Sequence, residues 1–317
     1  MENINKLQSF IILGMVSLGI LIGQIDLISI YSEYLIMPAL MIMLFLVFIQ
    51  IPIKEIGKSF KNLKFTITSI TINFIWTPIV IFILGRLFLK NEPELLIGFV
   101  MLMVTPCTDW YLIFTGIAKG NVALSSSILP LNLILQLILL PVYIFIFGGT
   151  SIEIDAISLG KGVIYSLIIP LLSAIICRFI ITRKSKSNKL MSKACDYQGY
   201  FLNIAIIAMF SSQGKVLLSN LNTLLILLIP ILLFFFINFM VGRFVGVKLN
   251  LSYEDSVSLN LTTLARNSPI ALAIAVATFP DKPLIALALI IGPLIELPML
   301  FIISKVLLKI RHRQIIE

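Results

Sequence analysis

Long apolar segments recur from near the N-terminus to Lys309, and no polar domain interrupts them. A helix needs about 20 mostly apolar residues to cross the hydrocarbon layer of a membrane. Because a backbone in lipid must satisfy its own hydrogen bonds, repeated segments of this kind predict an all-α polytopic membrane protein. The composition agrees, since 59% of the 317 residues are hydrophobic and 12% are charged. We therefore expect the lipid bilayer to surround most of the chain.

Dividing the chain at its polar and turn-rich breaks predicts ten transmembrane helices. Five of them fall in each half. Because five is an odd number, two halves that are repeats of each other must have opposite orientations in the membrane. We predict two inverted five-helix repeats, residues 1–150 and 151–317, which form one transmembrane unit. The predicted helices are 9–25, 35–51, 65–88, 95–118, 122–147, 162–181, 200–213, 221–245, 256–279 and 283–308.

Lysine and arginine residues are distributed unequally between the two sides of this arrangement. The two termini and the even-numbered loops hold 18 of the 24, the odd-numbered loops hold five, and Arg266 lies inside the ninth segment. By the positive-inside rule the 18-residue side is cytoplasmic. We predict a multi-pass protein of the plasma membrane with both termini in the cytoplasm. No nucleic-acid partner is expected, because the basic residues lie in short loops and not on one face.

Two of the segments contain a proline beside polar residues in the middle of an apolar run. The fourth includes Thr105-Pro106-Cys107-Thr108-Asp109, and the ninth includes Ala265-Arg266-Asn267-Ser268-Pro269. A proline removes a backbone donor, and nearby polar groups can replace the lost bond. Either proline alone is also compatible with a simple kink. Their matching positions in the two halves favour broken helices four and nine that cross at the midplane, where such transporters bind substrates.

Three ionisable side chains stand out inside the predicted spans, away from the span ends: Asp109, Arg266 and Glu296. Each costs about 3 kcal/mol at the bilayer centre on insertion scales, so each needs a partner or a function. Because Asp109 follows Pro106 by three residues and Arg266 precedes Pro269 by three, we predict that the two charges pair. The pair either serves transport or only fastens two helices. Asp109 and Glu296 are the candidates for ion coupling; a protonated Glu296 that only bonds a neighbouring helix is the alternative.

Polar residues at the two breaks are the candidates for substrate binding: Cys107, Thr108, Asp109, Arg266, Asn267 and Ser268. The Cys107 thiol is a soft ligand suited to a thiophilic metalloid, although buried cysteines also act as small apolar filler. Several amides inside the spans can line a polar cavity or bond between helices: Asn73, Asn132, Gln136, Gln213 and Asn238. The phenylalanine run 234–236 is expected to face lipid.

Other classes of protein are disfavoured by the motifs. The three cysteines lack the spacing of a zinc site, and the single histidine, His312, lies in a basic tail. No glycine-rich phosphate motif followed by lysine is present, which argues against an ATP-driven pump. We expect no cofactor and no metal site. We do not expect a membrane-embedded enzyme, which would need a nucleophile and a base. We also do not expect a sensor, which would need an appended domain.

Six motifs along the chain form a recognisable set: 73–76 (NFIW), Pro106-Cys107-Thr108, 120–125 (GNVALS), 209–214 (MFSSQG), 272–277 (LAIAVA) and 292–298 (GPLIELP). Together they resemble the bile acid:sodium symporter superfamily and, within it, the arsenite permeases of arsenical resistance. The resemblance implies a ten-helix fold with a panel domain and a core domain. Helices four and nine would be broken and would cross at the substrate site.

The resemblance also implies export of trivalent arsenic by a fourth-helix cysteine and a ninth-helix glutamate. The cysteine is carried over onto Cys107, whereas the position of the glutamate is Ala271. The sodium ligands of the bile acid branch would fall near Tyr111, Leu112, Ser125, Leu129 and Thr262, and the two leucines offer no side-chain oxygen to a hard cation. We therefore expect that this sodium coupling is lost and that Arg266 replaces the ion or binds an anion.

The leading hypothesis is a secondary transporter that exports arsenite or a related small solute, coupled to protons or to the membrane potential. The alternative is a sodium- or proton-coupled symporter of an organic anion held by Arg266.

Overall fold

A computed structural model describes residues 14–50, 62–107, 110–148, 160–161, 164–181, 187–219, 222 and 225–316. Across these residues the regular secondary structure is helical, and Pro106 and Arg266 form an isolated antiparallel bridge. The helices are α1 (14–22), α2 (Asp26–Gln50), α3 (Leu63–Phe88), α4 (Pro93–Met103), α5 (Trp110–Ile117), α6 (Val122–Gly148), α7 (Ile169–Ile181), α8 (Ser187–Ser219), α9 (Leu228–Lys248), α10 (Tyr253–Leu264), α11 (Ser268–Thr278) and α12 (Pro283–Ile316).

Five of these helices are long and apolar enough to cross a membrane: α2, α3, α6, α9 and α12. Three shorter apolar helices, α4, α7 and α11, accompany them. The prediction of an all-helical, multi-pass membrane protein is therefore confirmed for the part of the chain that the structure describes. The count of ten spans and the inverted repeats stay predictions.

The predicted boundaries agree with the structure in some helices and differ in others. Helices α3 and α6 match the predicted spans 65–88 and 122–147 within two residues. The second span was placed too late, because α2 begins at Asp26, and the seventh was too short, because α8 covers Ser187–Ser219. Apolar runs mark only the part of a helix that suits lipid. Charged residues such as Lys189 and Lys193 are good helix formers, so α8 continues past the apolar run.

A first group of helices consists of α1, α2, α7 and α8. Helix α2 packs along α8 and also contacts α7. Gly19 of α1 and Gly23, which directly follows α1, lie against α8, where an added Cβ atom would collide with Phe210 and Ser211. Glycines four residues apart share one helix face and let two backbones approach closely. This contact holds α1 against α8 within the first group.

A second group consists of α3, α4, α5, α6, α9, α10 and α12, which pack on one another. Helix α9 approaches α10 at Gly242 and Gly246, where a Cβ atom would meet the side chains of Asn260 and Ser256. The same four-residue spacing of glycines therefore serves both groups. Helix α11 lies between the groups, since it contacts α2 as well as α4 and α12.

The phenylalanine run of α9 corrects one expectation. Phe234 and Phe235 are fully buried, and Phe236 is 60% exposed. The prediction that the run faces lipid is wrong for the first two residues. A helix has about 3.6 residues per turn, so three consecutive side chains cannot share one face. Two of them point into the second group.

Candidate functional site

The break between α4 and α5 lies against the break between α10 and α11. The backbone N–H of Cys107 donates to the carbonyl of Ala265 at 2.9 Å, and the N–H of Asn267 donates to the carbonyl of Thr105 at 2.8 Å. Together with the Pro106–Arg266 bridge, these bonds satisfy backbone groups that a broken helix leaves without intrahelical partners. In the described residues, α4 ends and α11 begins at these two motifs, and the two chain segments lie in contact. Their depth in a bilayer stays a prediction.

The second break is formed by a short extended segment followed by a capped helix. Ala265 has extended backbone angles, φ −72° and ψ 140°. Asn267 is the N-cap of α11, and its side chain accepts a hydrogen bond from the N–H of Ile270 at 3.4 Å. Pro269 lies in the first turn of α11, where a missing N–H removes no helical bond. Pro269 thus begins the second half-helix.

The first break involves Thr105, which lies outside the predicted candidate set. Its hydroxyl lies 3.0 Å from the carbonyl of Met101 and 3.1 Å from that of Leu102, at the end of α4. The same hydroxyl is 3.3 Å from the carbonyl of Asn267 across the bridge. It therefore donates to carbonyls that the end of α4 leaves free. The signal for this residue was a hydroxyl directly before the proline.

Arg266 is almost completely buried, with 1% of its surface exposed. Its Nε donates to the carbonyl of Leu264 at 3.2 Å, and its Nη2 donates to the carbonyl of Thr263 and to Asn73 Oδ1, the latter at 3.4 Å. The guanidinium carbon lies 4.8 Å from the centre of the Phe234 ring. Among the described residues, the hydrogen-bond partners of the guanidinium are uncharged oxygens. The charge is therefore held by carbonyls, an amide and an aromatic face.

A π-helical turn in α3, Ile72–Trp76, directs two side chains toward neighbouring helices. Asn73 Nδ2 donates to the carbonyl of Thr262 at 3.3 Å, and Trp76 Nε1 donates to Asn238 Oδ1 at 3.0 Å. Asn73 and Asn238 thus bond between helices, which is one of the two roles expected for these amides. Single π-helical turns are frequent at functional sites. This turn places Asn73 Oδ1 beside Arg266.

Glu296 comes to the second break from α12. The carboxyl group is buried, with 3% of the residue exposed, and its Oε1 accepts the backbone N–H of Arg266 at 2.8 Å. The structure thus brings together two of the three ionisable residues predicted inside spans. Thr108 and Asp109 lie outside the residues that the structure describes. The Asp109–Arg266 pair stays a prediction.

Cys107 and a small cavity lie beside the contact of the two breaks. Cys107 is buried, with 1% exposed, next to the bridge. The cavity has a volume of about 30 Å³, enough for about two water molecules. Of the candidate residues that the structure describes, Ser268 and Pro269 line it. It lies where α8 meets α5, α11 and α12, and its lining consists of Trp110, Leu202, Ile206, Ser268, Pro269, Leu272, Leu289, Ile290 and Pro293.

Comparison with known proteins assigns the chain to a family. Residues 37–220 match the sodium bile acid symporter family. An arsenical-resistance protein Acr3 of Corynebacterium glutamicum is 26% identical over 248 residues, which cover 73% of this chain and 66% of that protein, just under two thirds of its length.

Two further relatives cover more of the chain at lower identity. An uncharacterized transporter of Synechocystis sp. is 23% identical over 291 residues, which cover 84% of this chain and 76% of that protein. An arsenical-resistance protein Acr3 of Alkaliphilus metalliredigens is 22% identical over 299 residues, which cover 89% of this chain and 84% of that protein. Because the family match covers more than half of the chain, the chain belongs to the sodium bile acid symporter family, whose members are membrane transporters and not enzymes.

Proposed function

We propose that this transporter exports arsenite or a related small solute, driven by a proton gradient or by the membrane potential. The observation that carries the proposal is the buried Cys107 at the contact of the two helix breaks. A thiol is a soft ligand that suits a trivalent metalloid. Two relatives named as arsenical-resistance proteins support the same substrate class.

The proposed substrate site combines both breaks. Backbone hydrogen bonds hold Cys107 beside Ala265, and the cavity at Ser268 gives the site room on the side of α8. In this arrangement the thiol binds the metalloid, and the polar side chains bind its hydroxyl groups. The residues that we assign to the site are Cys107, Thr108, Asp109, Arg266, Asn267 and Ser268.

Glu296 is the first candidate for proton coupling, and Asp109 is the second. The Glu296 carboxyl group is buried and accepts the backbone N–H of Arg266. Protonation makes a carboxyl group a weaker acceptor, because hydrogen bonds to an ionised oxygen are stronger. Proton binding at Glu296 would therefore loosen the tie between α12 and the second break. That change would link a proton to the substrate site.

For the membrane arrangement we propose ten transmembrane helices in two inverted repeats, residues 1–150 and 151–317, with both termini in the cytoplasm. The first helix group would form the panel, and the second would form the core. Breaks at corresponding places in both halves, joined by an antiparallel bridge, support this arrangement. A reporter fused after Glu317 should be cytoplasmic, and one inserted near Ser151 should be external. An external C-terminus would contradict it.

Flux measurements in proteoliposomes test the proposed substrate. We expect arsenite flux that responds to an imposed pH gradient or potential. Cys107→Ser should abolish this flux at unchanged expression. Cys177→Ser in α7 is the matched control and should leave the flux intact. Full flux in the Cys107 variant would assign that residue to packing alone.

Symport of an organic anion is the second candidate function, and one atom favours it. Arg266 Nη1 is buried and has no hydrogen-bond partner in the part of the chain that the structure describes. A carboxylate or sulfonate could accept a bond from it. Taurocholate flux that is lost in Arg266→Gln would support this function. Arsenite flux without taurocholate flux would exclude it.

A further inference from the structure

The end of α10 points its last carbonyl oxygens at a cation. Thr263 and Leu264 are the last residues of α10, and the chain leaves the helix at Ala265. The final carbonyls of a helix have no intrahelical partner and carry a partial negative charge. Both of these carbonyls accept from the guanidinium of Arg266. The Arg266 side chain therefore folds back onto the end of its own helix.

A second helix and an aromatic ring complete the surroundings of this cation. Asn73 Oδ1 accepts from Nη2 at 3.4 Å, and the Asn73 amide is oriented by its own bond to the Thr262 carbonyl. The Phe234 ring lies 4.8 Å from the guanidinium carbon, within the range of a cation–π contact. Backbone carbonyl and side-chain amide oxygens are among the ligands that Ca²⁺ takes in proteins, and unwound backbone carbonyls coordinate Na⁺ in transporters. Three such oxygens and a π face have the composition of a cation site.

An anionic ligand fits this position poorly. Helix C-termini favour cations and disfavour anions, and the end of α10 faces the guanidinium directly. The carboxyl group of Glu296 accepts a hydrogen bond from the backbone N–H of Arg266, so its oxygens add negative potential near this position. The Nη1 atom has no hydrogen-bond partner among the described residues, and its two N–H groups are all that this position offers an anion against these effects. The charges therefore favour a fixed cation over an anchor for an anion.

In transporters with discontinuous helices, unwound carbonyls and the C-terminal ends of half-helices coordinate the coupling sodium ion or proton. We propose that the Arg266 guanidinium permanently occupies such a position as a covalently attached cation, so that transport requires no sodium ion. An arginine cannot be deprotonated in a protein, so this charge is always present. This proposal deepens the proposed function, because it names the group that takes the place of a bound sodium ion. It rests on the proposed function only where arsenite flux is measured.

The binding test measures the thermal unfolding midpoint of the purified chain in detergent. Wild type should show the same Tm in sodium chloride and in choline chloride at equal ionic strength. Arg266→Ala opens the cation position, so Na⁺ or low millimolar methylguanidinium should raise its Tm by about 2 °C or more relative to choline. Arg86→Ala is the matched control, because Arg86 also lies over a ring, that of Phe82, but at an exposed site. It should show no cation-specific shift.

Arg266→Lys keeps the charge and provides a second comparison if the alanine variant does not fold. This variant should be less stable than wild type and should remain indifferent to sodium. A sodium-specific rise in the Tm of wild type or of Arg266→Lys would overturn the proposal. So would an Arg266→Ala protein that neither cation stabilises.

The flux test replaces sodium with potassium on both sides of the vesicle membrane. Arsenite flux should be unchanged in wild type and should become dependent on Na⁺ or methylguanidinium in Arg266→Ala. Flux that stops in wild type without sodium would contradict the tethered cation. Absence of arsenite flux in wild type, together with the expected Tm pattern, would contradict the proposed substrate and still support the tethered cation.

Discussion

The first helix break, between α4 and α5, and the second, between α10 and α11, are joined by reciprocal backbone bonds, but different side chains stabilise them. In the first, the hydroxyl of Thr105 covers the end of α4, and a buried thiol follows at Cys107. In the second, Arg266 covers the end of α10, and Asn267 caps α11. The described part of the first break is neutral, whereas the second holds a buried cation.

This difference shows that one backbone geometry can be built with different chemistry. A broken helix needs donors for its last carbonyls, and a hydroxyl or a guanidinium meets that need. The described part of the first break holds the uncharged thiol of Cys107, which we propose as a soft ligand. The second break carries the positive charge of the Arg266 guanidinium. We expect substrate recognition to depend more on the first break, and stability and ion dependence to depend more on the second.

The largest expected effect is that of Arg266→Leu on stability. The Leu264 carbonyl and the Asn73 amide oxygen would lose their donor, and the Thr263 carbonyl would keep only its bond from Asn238. Each stranded buried acceptor costs about 1–3 kcal/mol. We expect a loss of about 3 kcal/mol or more, measured by unfolding in detergent. Thr105→Val is the matched change at the first break and should cost about 1 kcal/mol. Equal losses of stability in the two variants would contradict the expectation that stability depends more on the second break.

A double-mutant cycle tests whether the first break supplies a carboxylate to the second. Asp109→Asn and Arg266→Gln should each impair folding or transport, because a lone buried charge is costly. If the two groups touch, the double variant should recover stability by a coupling energy of about 0.5–3 kcal/mol. Recovered folding without flux would give the charges a role in transport. Additive losses would mean that the Asp109 and Arg266 side chains do not interact.

The smallest expected effect concerns the cap of the second break. Asn267→Ala removes the acceptor for the Ile270 N–H and should cost about 1 kcal/mol, as is typical for an N-cap. Asn62 caps α3 in the same way, accepting the N–H of Phe65 at 3.1 Å, so Asn62→Ala is the control. Both variants should lose similar stability, and only Asn267→Ala should also reduce solute flux. Equal flux in the two would assign Asn267 to capping alone.

The sequence by itself determined the helical membrane fold and the places where two helices break. Both are local consequences of the solvent, because lipid supplies no hydrogen bonds to the backbone and a proline removes one of its donors. The motif around Pro106 and the one before Pro269 therefore indicated the candidate site from composition and spacing. The same local logic located Cys107, Arg266 and Glu296 as residues that need an explanation.

The tertiary structure alone decided where the side chains at the site point and what surrounds them. Asn73 reaches Arg266 across 193 residues of sequence, and Phe234 lies beneath the guanidinium although its run had been expected to face lipid. The helices α2 and α8 also extend beyond the apolar runs that predicted them. A pattern along the chain records which residues prefer lipid or a turn. Which distant oxygens meet a buried cation is set by the packing of helices, and no local pattern encodes it.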